Sequence, residues 1–287
     1  MSLRPSRLWL VLVAFIACLI LRNGPLDATA GPQSEVAKPP SSAVSMSDDD
    51  IEQFLLKAKV VKTRAAGKGI TGSLRATLTD GTLTHDAQIQ TIDEAKREFR
   101  SVSGVEFNFR DSWMFNVAAY RLDRALGLKF VPVSVERKWR STHGAFTWWL
   151  DDVQMDEGDR LKKGLNSPDP RGWNEEMQLV RLFDQLIYNV DRNLGNLLIT
   201  NDWNIWAIDH TRAFRTYEVL KTPANIARCD REVFERLKRL NNADLRKRLS
   251  PYLNSFEINT MLKRRDAIVT LIEQRGEVGL FECKRKV

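Results

Sequence analysis

Two aspartates and an asparagine between residues 188 and 214 have the side-chain types that bind a divalent cation. The stretch reads YNVDRNLGNLLITNDWNIWAIDHTRAF, in which Asp191 opens a polar loop, Asn196 closes it and Asp209 follows an apolar segment. Carboxylate and amide oxygens are ligands that Mg²⁺ takes, usually with positions left for phosphates and water. Asp191 could also orient or deprotonate an attacking hydroxyl group. If the three side chains meet, they suit metal-dependent phosphate chemistry.

The elements predicted around these residues place them close together. The apolar segments NLLIT and IWAID, joined by the polar turn NDWN at 201–204, predict a β-hairpin directly after a long helix. A hairpin brings its two ends together, and Asn196 precedes its first strand while Asp209 ends its second. The competing interpretation is that the aspartates only cap turns. A carboxylate held against apolar strands without a partner costs on the order of several kcal/mol, which favours a bound cation.

The rest of the chain divides into a strand-rich part and a helical part. In chain order, the hydrophobic periodicity and the turn residues predict a helix at 47–61, a hairpin at 74–89, a helix at 111–126, strands at 130–139 and 144–152, and helices at 174–190, 230–240, 243–249 and 256–274. This order predicts an α+β protein with two lobes. The boundary falls between a small N-lobe at 49–152 and a mostly helical C-lobe at 153–287.

Three motifs in this order resemble a known family. D-R-x-x-x-N, a hairpin and A-I-D-x-x-x-A-F resemble the catalytic and metal-binding segments of atypical kinases, especially type II phosphatidylinositol 4-kinases. Secretory-pathway casein kinases and HipA-type toxin kinases are similar more distantly. The stretch NVAAYRLDRALGLKFVPVSV, at 116–135, is similar to the αC helix and following strand of those families. The resemblance covers roughly residues 60–215 and implies a protein-kinase-like fold.

The resemblance implies roles for individual residues. Asp191 corresponds to the catalytic aspartate, and Asn196 and Asp209 correspond to the metal ligands. The segment GKGITGS resembles a glycine-rich phosphate loop, and WWLDD leads into the hinge beside the adenine. The implied cofactors are ATP and Mg²⁺. The implied nucleotide-binding residues are Lys68, Gly69, Gly72, Gln90, Asn116 and Asp152, although plain hairpin flexibility also explains the two glycines.

The sequence departs from the family at one pair of positions. Those kinases hold the phosphates with a strand lysine that is paired with a glutamate on αC. By register Gln90 stands at the lysine position and Asn116 at the glutamate position. Neutral amides donate and accept hydrogen bonds but do not neutralise phosphate charge. A substitute cation could come from Lys62, Lys68 or Arg75.

The N-terminal segment predicts export. Residues 1–30 combine a basic start, an apolar run and the small-x-small site Ala28-Thr29-Ala30, which is typical of a signal peptide. An uncleaved N-terminal anchor is the alternative. Residues 31–48 are rich in Pro, Ser and small residues and predict a disordered linker. We therefore expect a periplasmic or secreted protein. In an oxidising compartment Cys229 and Cys283 could pair, although the sequence does not place them together.

The net charge and the composition indicate which classes of binding partner the protein could have. The formal net charge is +7, with basic residues spread along the chain. This excess suits anionic ligands and is compatible with a peripheral membrane contact, but it is not the composition of a nucleic-acid-binding protein. Beside the central motif, Arg192 is expected to tie the loop down. His210 and Arg212 could either orient Asp209 or lie at the surface.

These observations predict an exported kinase-like protein. Its reaction would be Mg-ATP-dependent phosphoryl transfer to a hydroxyl group of a protein, lipid or sugar. One alternative is a pseudokinase, a binding or scaffold module in which the Lys–Glu pair has degenerated. The other is a kinase-fold enzyme that runs different nucleotidyl chemistry on the same metal site.

Overall fold

The computed structural model describes residues 46–66, 72–101, 104–240 and 242–283. These described residues belong to one compact unit. The predicted signal peptide, nearly all of the predicted linker, Lys68 and Gly69 lie outside the described residues.

The N-terminal part is built on a five-stranded antiparallel sheet. Its strands, in spatial order, are β1 (Lys59–Ala65), β2 (Leu74–Thr79), β3 (Thr84–Gln90), β7 (Thr142–Trp148) and β6 (Ser134–Trp139). Along β2 and β3 the apolar side chains Ala76, Leu78, Ala87 and Ile89 are buried in the core. Because successive strand residues point to opposite faces, the intervening polar residues lie on the other face of the sheet. That second face forms the roof of the cleft described below.

A short helix leads into this sheet. Helix α1 (Asp48–Lys57) begins with a capping box, in which the Ser47 side chain accepts from the Asp50 backbone N–H and the Asp50 carboxylate accepts in return. The predicted helix extended to residue 61, but the structure ends it at Lys57. The β-branched residues that follow favour a strand, and they pair with β2.

An additional hairpin, which the sequence did not predict, separates β3 from the next helix. Strands β4 (Asp93–Ser101) and β5 (Gly104–Ser112) pair only with each other, as a two-stranded sheet. The predicted helix at 111–126 is therefore shorter, since Asp111 and Ser112 pair with Glu94 and Asp93 at the end of this hairpin. Most residues of β4 between 93 and 100 are charged and exposed, so this segment lacks the alternation that predicts a half-buried strand.

The main helix of the N-terminal part is α2 (Met114–Leu126). It buries Phe115, Ala118, Ala119 and Leu122 and packs against the same core as the sheet. Gly127 ends it in the left-handed conformation, with φ 66°, as predicted. The buried Asp123 carboxylate then accepts three backbone N–H groups of the loop from Lys129 to Val131, which directs the chain into β6.

A three-stranded sheet carries the central motif. Its order is β10 (Ile205–Ala207), β9 (Leu197–Thr200) and β8 (Val153–Asp156), so the predicted hairpin of β9 and β10 is confirmed and β8 is added at its edge. Helices α3 (Glu157–Lys162) and α4 (Pro170–Leu186) lie between β8 and the loop that opens with Asp191. The α4 side chains Leu179, Val180, Phe183 and Leu186 are buried in the core.

The remainder of the described chain is helical, as predicted. Helices α5 (Arg231–Arg239), α6 (Asn242–Leu249) and α7 (Ser255–Arg275) follow one another, and β11 (Cys229–Asp230) pairs in parallel with β12 (Leu280–Phe281). The α+β class, with strands first and helices last, is confirmed. Within the described residues, no helix combines the length and apolar character needed to cross a membrane.

Candidate functional site

A cleft of 660 Å³ lies between the five-stranded sheet and the three-stranded sheet. Its floor includes the apolar side chains Met155, Leu198 and Ile208, and one side includes Trp148, Trp149 and Leu150. Asn196 and Asp209, the two predicted metal ligands, both line it. Two parts of the central motif therefore meet at one cavity.

The loop that opens with Asp191 is held by its own backbone. The Asp191 backbone N–H donates a hydrogen bond to Asn189 Oδ1 at 3.0 Å. The Asp191 carbonyl oxygen accepts from the Asn193 N–H and from the Asn196 side-chain amide, at 2.9 and 3.2 Å. Because the Asn196 nitrogen is used in this way, its amide oxygen is the end left for a ligand.

Arg192 ties this loop to the following hairpin, as expected. Its guanidinium group donates to the carbonyl oxygens of Asn196 and Ile208 at 3.0 and 2.7 Å. It also pairs with Asp184 at the end of α4, at 3.0 Å, where both side chains are largely buried. The residues just before Asp209 are thereby fixed to the loop that contains Asn196.

His210 is part of the same network and is structural. It is fully buried, and Arg192 Nη2 lies 2.8 Å from its Nε2. Burial, with a smaller contribution from the Arg192 charge, holds the pKa of His210 well below its ordinary value. The ring is therefore neutral at neutral pH and accepts from Arg192.

Asp209 adopts a left-handed backbone conformation, with φ 54°. Aspartate tolerates this conformation better than most residues, and such conformations often occur at functional sites. Its Oδ1 accepts from Gln90 Nε2 at 3.3 Å and from Thr211 Oγ1 at 3.2 Å. Among the described residues, none donates to its Oδ2, so that oxygen is available to a cation.

Gln90 and Asn116 form a buried chain of amides that ends at Asp209. Asn116 Nδ2 donates to Gln90 Oε1 at 2.6 Å, and the His210 backbone N–H donates to Asn116 Oδ1 at 2.7 Å. Gln90 and Asn116 are only 3% and 5% exposed. The structure therefore connects both residues to Asp209, although neither lines the cleft, and the group that they form carries no charge.

Asp191 lies beside the cleft but is not among the residues that line it. Its side chain is half-buried, and no described residue donates a hydrogen bond to its carboxylate. A carboxylate without an internal donor has its lone pairs available for a proton from outside the protein. Its predicted role as a base stays a prediction.

Asp111 is a second carboxylate near Asp209 that the sequence did not single out. It lies at the end of β5, is 6% exposed, and its Oδ1 has no hydrogen-bond partner. Burial raises its pKa; a hydrogen bond from Thr211 acts in the opposite direction, and the Asp209 charge adds to the increase. Because the sequence predicted a helix here, its approach to Asp209 through the β4–β5 hairpin was not foreseen.

The other predicted residues are placed as follows. Gly72 has φ 66°, a conformation that favours glycine. The Asp152 side chain is exposed and does not line the cleft, whereas its neighbours Asp151 and Val153 do. Arg75 lines the cleft and Lys62 does not. Arg64 and Asp156 also line the cleft, although the sequence did not indicate them.

The donor set fits a hard cation with few protein ligands. No group of three or more His, Cys, Asp or Glu side chains in the described ranges could hold a metal ion. Asn196 and Asp209 can each offer one oxygen to the same cavity. Mg²⁺ is commonly bound by one or two carboxylates together with waters and substrate phosphates, so this set suits that type of site.

Comparison with known proteins supports the fold. No family model matches the sequence, and no curated protein matches it. A solved structure of hydra Fam20 with sugar is similar, with a TM-score of 0.59, 18% identity, and coverage of 83% of this chain and 93% of that one.

A Golgi casein kinase solved with Mn/ADP bound is similar too. Its TM-score is 0.58 at 15% identity, over 82% of this chain and 78% of the casein kinase. A second structure of the Golgi casein kinase gives 0.53 at 15% identity. Secretory-pathway casein kinases were one of the three groups that the motifs resemble. The chain therefore has the bilobal fold of the atypical kinases.

Proposed function

We propose that the cleft binds a nucleotide together with a divalent cation and transfers a phosphoryl group to a hydroxyl acceptor. The observation that carries this proposal is the meeting of Asn196 and Asp209 at one cavity, with Asp191 fixed at the other end of the same loop. Two apolar strands and the Arg192 network hold that arrangement before any ligand arrives. Such preorganisation is what phosphoryl transfer requires of a protein.

Each residue has a separate task in this reaction. Asn196 and Asp209 would hold the cation, which neutralises phosphate charge when bound. Asp191 accepts the proton of the acceptor hydroxyl as the new oxygen–phosphorus bond forms and the bond from the terminal phosphorus to the bridging oxygen breaks. Gln90 keeps the Asp209 carboxylate in place through its hydrogen bond to Oδ1.

The similar solved structures support this proposal without extending it to a particular acceptor. The Golgi casein kinase was solved with Mn and ADP, which suggests the same kinds of ligand for this cleft. The hydra Fam20 was solved with a sugar. A sugar, a protein or a lipid can each supply the acceptor hydroxyl, and ATP with Mg²⁺ is the donor that we propose.

Titration calorimetry with ATP and either Mg²⁺ or Mn²⁺ tests the binding step. We expect the wild-type protein to bind, and Asp209→Ala to weaken binding at least about tenfold, because a carboxylate ligand of the cation is lost. Asp49→Asn, a change at an exposed position of α1, is the matched control and should bind as the wild type does. No heat of binding at millimolar nucleotide would rule the proposal out.

A second candidate function is nucleotide binding without transfer. The uncharged Gln90–Asn116 chain favours it, because the charged pair expected at those positions is absent. Mass spectrometry after incubation with ATP separates the candidates. Phosphate on the protein or on an added sugar or peptide indicates transfer, whereas binding with no phosphorylated product indicates a binding module.

A further inference from the structure

One row of residues crosses four strands of the sheet above the cleft. Arg64 on β1 pairs with Arg75 on β2, Arg75 pairs with Gln88 on β3, and Gln88 pairs with Thr147 on β7. Residues that are directly opposite in adjacent strands point to the same face. All four line the cleft, so its roof is a continuous polar row that includes two guanidinium groups.

A bound adenine ring is usually covered by apolar side chains on both faces, and this roof is polar. The floor below it is apolar, with Met155, Leu198 and Ile208. The next pair on the same face of β2 and β3 is Thr77 and Asp86, which is polar too, although neither residue lines the cleft. A ligand that only buried a flat apolar ring would leave the hydrogen-bonding groups of the roof unsatisfied, at a cost in binding free energy.

Arg75 is held in a fixed position within the row. Its Nε donates to Asp86 Oδ2 at 2.5 Å, and its guanidinium carbon lies 4.1 Å from the centroid of the Trp149 ring. Among the described residues, none accepts a hydrogen bond from its two terminal nitrogens. Arg64 is less tightly held than Arg75. Its side chain is 56% exposed, and its guanidinium group lies 3.9 Å from the Asp86 carboxylate.

The position of the two arginines indicates what they do. Of the described residues that line the cleft, the cationic ones are Arg64 and Arg75, and the acidic ones are Asp151, Asp156 and Asp209. Asp86 contacts both arginines, so they are the positive groups that the described lining offers to an anionic ligand. Gln90, which contacts Asp209, is two residues along β3 from Gln88. This is a separation of about 7 Å along the strand. An arginine side chain in the row is long enough to bridge that distance. A nucleotide phosphate chain held at Asp209 would therefore come within reach of the row.

We propose that Arg64 and Arg75 bind the phosphate groups of the nucleotide, so that positive charge is supplied by β1 and β2 instead of by a lysine on β3. This inference rests on the proposed nucleotide-binding function. Arg75 would present its two terminal nitrogens, which donate to no described residue, as a planar fork to phosphate oxygens, a geometry that guanidinium groups suit. Arg64 would add charge from the open edge of the sheet.

The test compares ligands that differ only in phosphate content. Competition calorimetry would measure the affinities of adenosine, ADP and ATP, with Mn²⁺ present, for the wild type and for Arg64→Gln, Arg75→Gln and the double variant. We expect each single variant to bind ADP and ATP about three- to tenfold more weakly, the double variant more weakly still, and adenosine to bind within twofold of wild type throughout. Arg97→Gln, a change at an exposed arginine on β4 outside the cleft, should leave all affinities unchanged.

Several outcomes would overturn the inference. If the double variant binds ADP and ATP as tightly as the wild type does, the role of the two arginines is contradicted. The proposed function would still stand in that case, because the wild type binds ATP. An equal loss for adenosine and ATP would show that Arg75 acts on the base by stacking. Arg75→Lys keeps the charge and should retain most of the affinity; a loss as large as that of Arg75→Gln would contradict a charge-based role.

Folding is controlled within the same experiment. Each variant is melted, and only those with a wild-type transition are titrated. Arg64 is largely exposed, so Arg64→Gln is expected to fold and decides the question if Arg75→Gln does not. Failure of the wild type to bind ATP at all would instead contradict the proposed function.

Discussion

Asp191 and Asp209 lie at the two ends of one motif but have different surroundings. Asp209 accepts from Gln90 and Thr211 through one oxygen, which orients its carboxylate. Asp191 is held only through its backbone, and no described residue donates to its side chain. A carboxylate that is oriented by hydrogen bonds is suited to binding a cation. A carboxylate that accepts no hydrogen bond from the protein is suited to accepting a proton from a substrate. The two residues therefore should respond differently to substitution.

Asp191→Asn should separate binding from chemistry. The amide keeps the size of the side chain and leaves the backbone contacts of the loop intact, but it cannot accept the acceptor proton. We expect ATP affinity within about twofold of wild type and a loss of transfer of roughly 10²–10⁴-fold. Calorimetry and a phosphate-transfer assay measure the two quantities on the same preparation. A variant that transfers phosphate at the wild-type rate would contradict the role of Asp191.

At the scale of elements, the β4–β5 hairpin changes how the site is supported. Glu106 on β5 pairs with Arg212 and with Arg215, both of which follow Asp209, and its distance to Arg215 is 2.7 Å. The Ser112 N–H donates to the Thr211 carbonyl oxygen at 2.9 Å. The hairpin therefore fixes the segment beyond Asp209. The sequence left open whether Arg212 orients Asp209 or lies at the surface, and in the structure Arg212 forms an ion pair with Glu106.

Glu106→Gln should destabilise the protein. The change leaves Arg215, which is 4% exposed, without its carboxylate partner, and removing one member of a buried pair typically costs about 3–5 kcal/mol. Urea unfolding measures the difference in the free energy of unfolding. Glu98→Gln is the control on the same hairpin; its partner Arg100 has a side chain that is 77% exposed, so the expected change is below about 1 kcal/mol. Equal effects of the two substitutions would contradict this account.

A second prediction concerns the hydrogen-bonded amides of Gln90 on β3 and Asn116 on α2. Gln90→Lys with Asn116→Glu would place a charged pair in the positions where the two amides now meet at 2.6 Å. We expect the double variant to bind ATP at least about fivefold more tightly, since a cation then faces the phosphates. Asn116→Glu alone buries an unpaired carboxylate and should lower the free energy of unfolding by about 3 kcal/mol.

Calorimetry and urea unfolding of the single and double variants check this pair of expectations. A double variant with unchanged ATP affinity would mean that charge at these positions does not limit binding. An Asn116→Glu variant as stable as the wild type would mean that the carboxylate finds a partner without the lysine.

At the scale of the whole molecule, the order of elements could be predicted and several contacts could not. Periodicity and turn residues gave the hairpin of β2 and β3, the end of α2 at Gly127, and the three C-terminal helices. These features depend on local sequence. Arg64 lies on β1, which pairs with β2, and the sequence predicted no strand at β1, so Arg64 was not indicated. Asp111 was missed because the sequence predicted a helix from residue 111, whereas the structure places it near the end of β5.

The N-terminal processing is a prediction for the whole chain. If residues 1–30 act as a signal peptide, the exported protein should begin at Gly31. Intact mass measurement and N-terminal sequencing of protein recovered from the periplasm or the medium check this. Ala28→Arg places a large charged residue in the small-x-small site and should leave the precursor uncut. Recovery of the full-length chain from the wild type would favour the uncleaved anchor.

The polar roof also affects the choice of compounds for an inhibitor screen. Most flat heteroaromatic molecules that compete with ATP gain affinity from apolar contacts above and below their rings. Here the upper surface presents Arg64, Arg75, Gln88 and Thr147, while apolar side chains line the floor and the side that contains Trp148, Trp149 and Leu150. A compound library for this cleft should therefore combine a ring small enough for the floor with a carboxylate, sulfonate or phosphonate directed at the arginines. Uncharged heteroaromatic compounds of the same size should bind more weakly, because they offer no acceptor to the terminal nitrogens of Arg75.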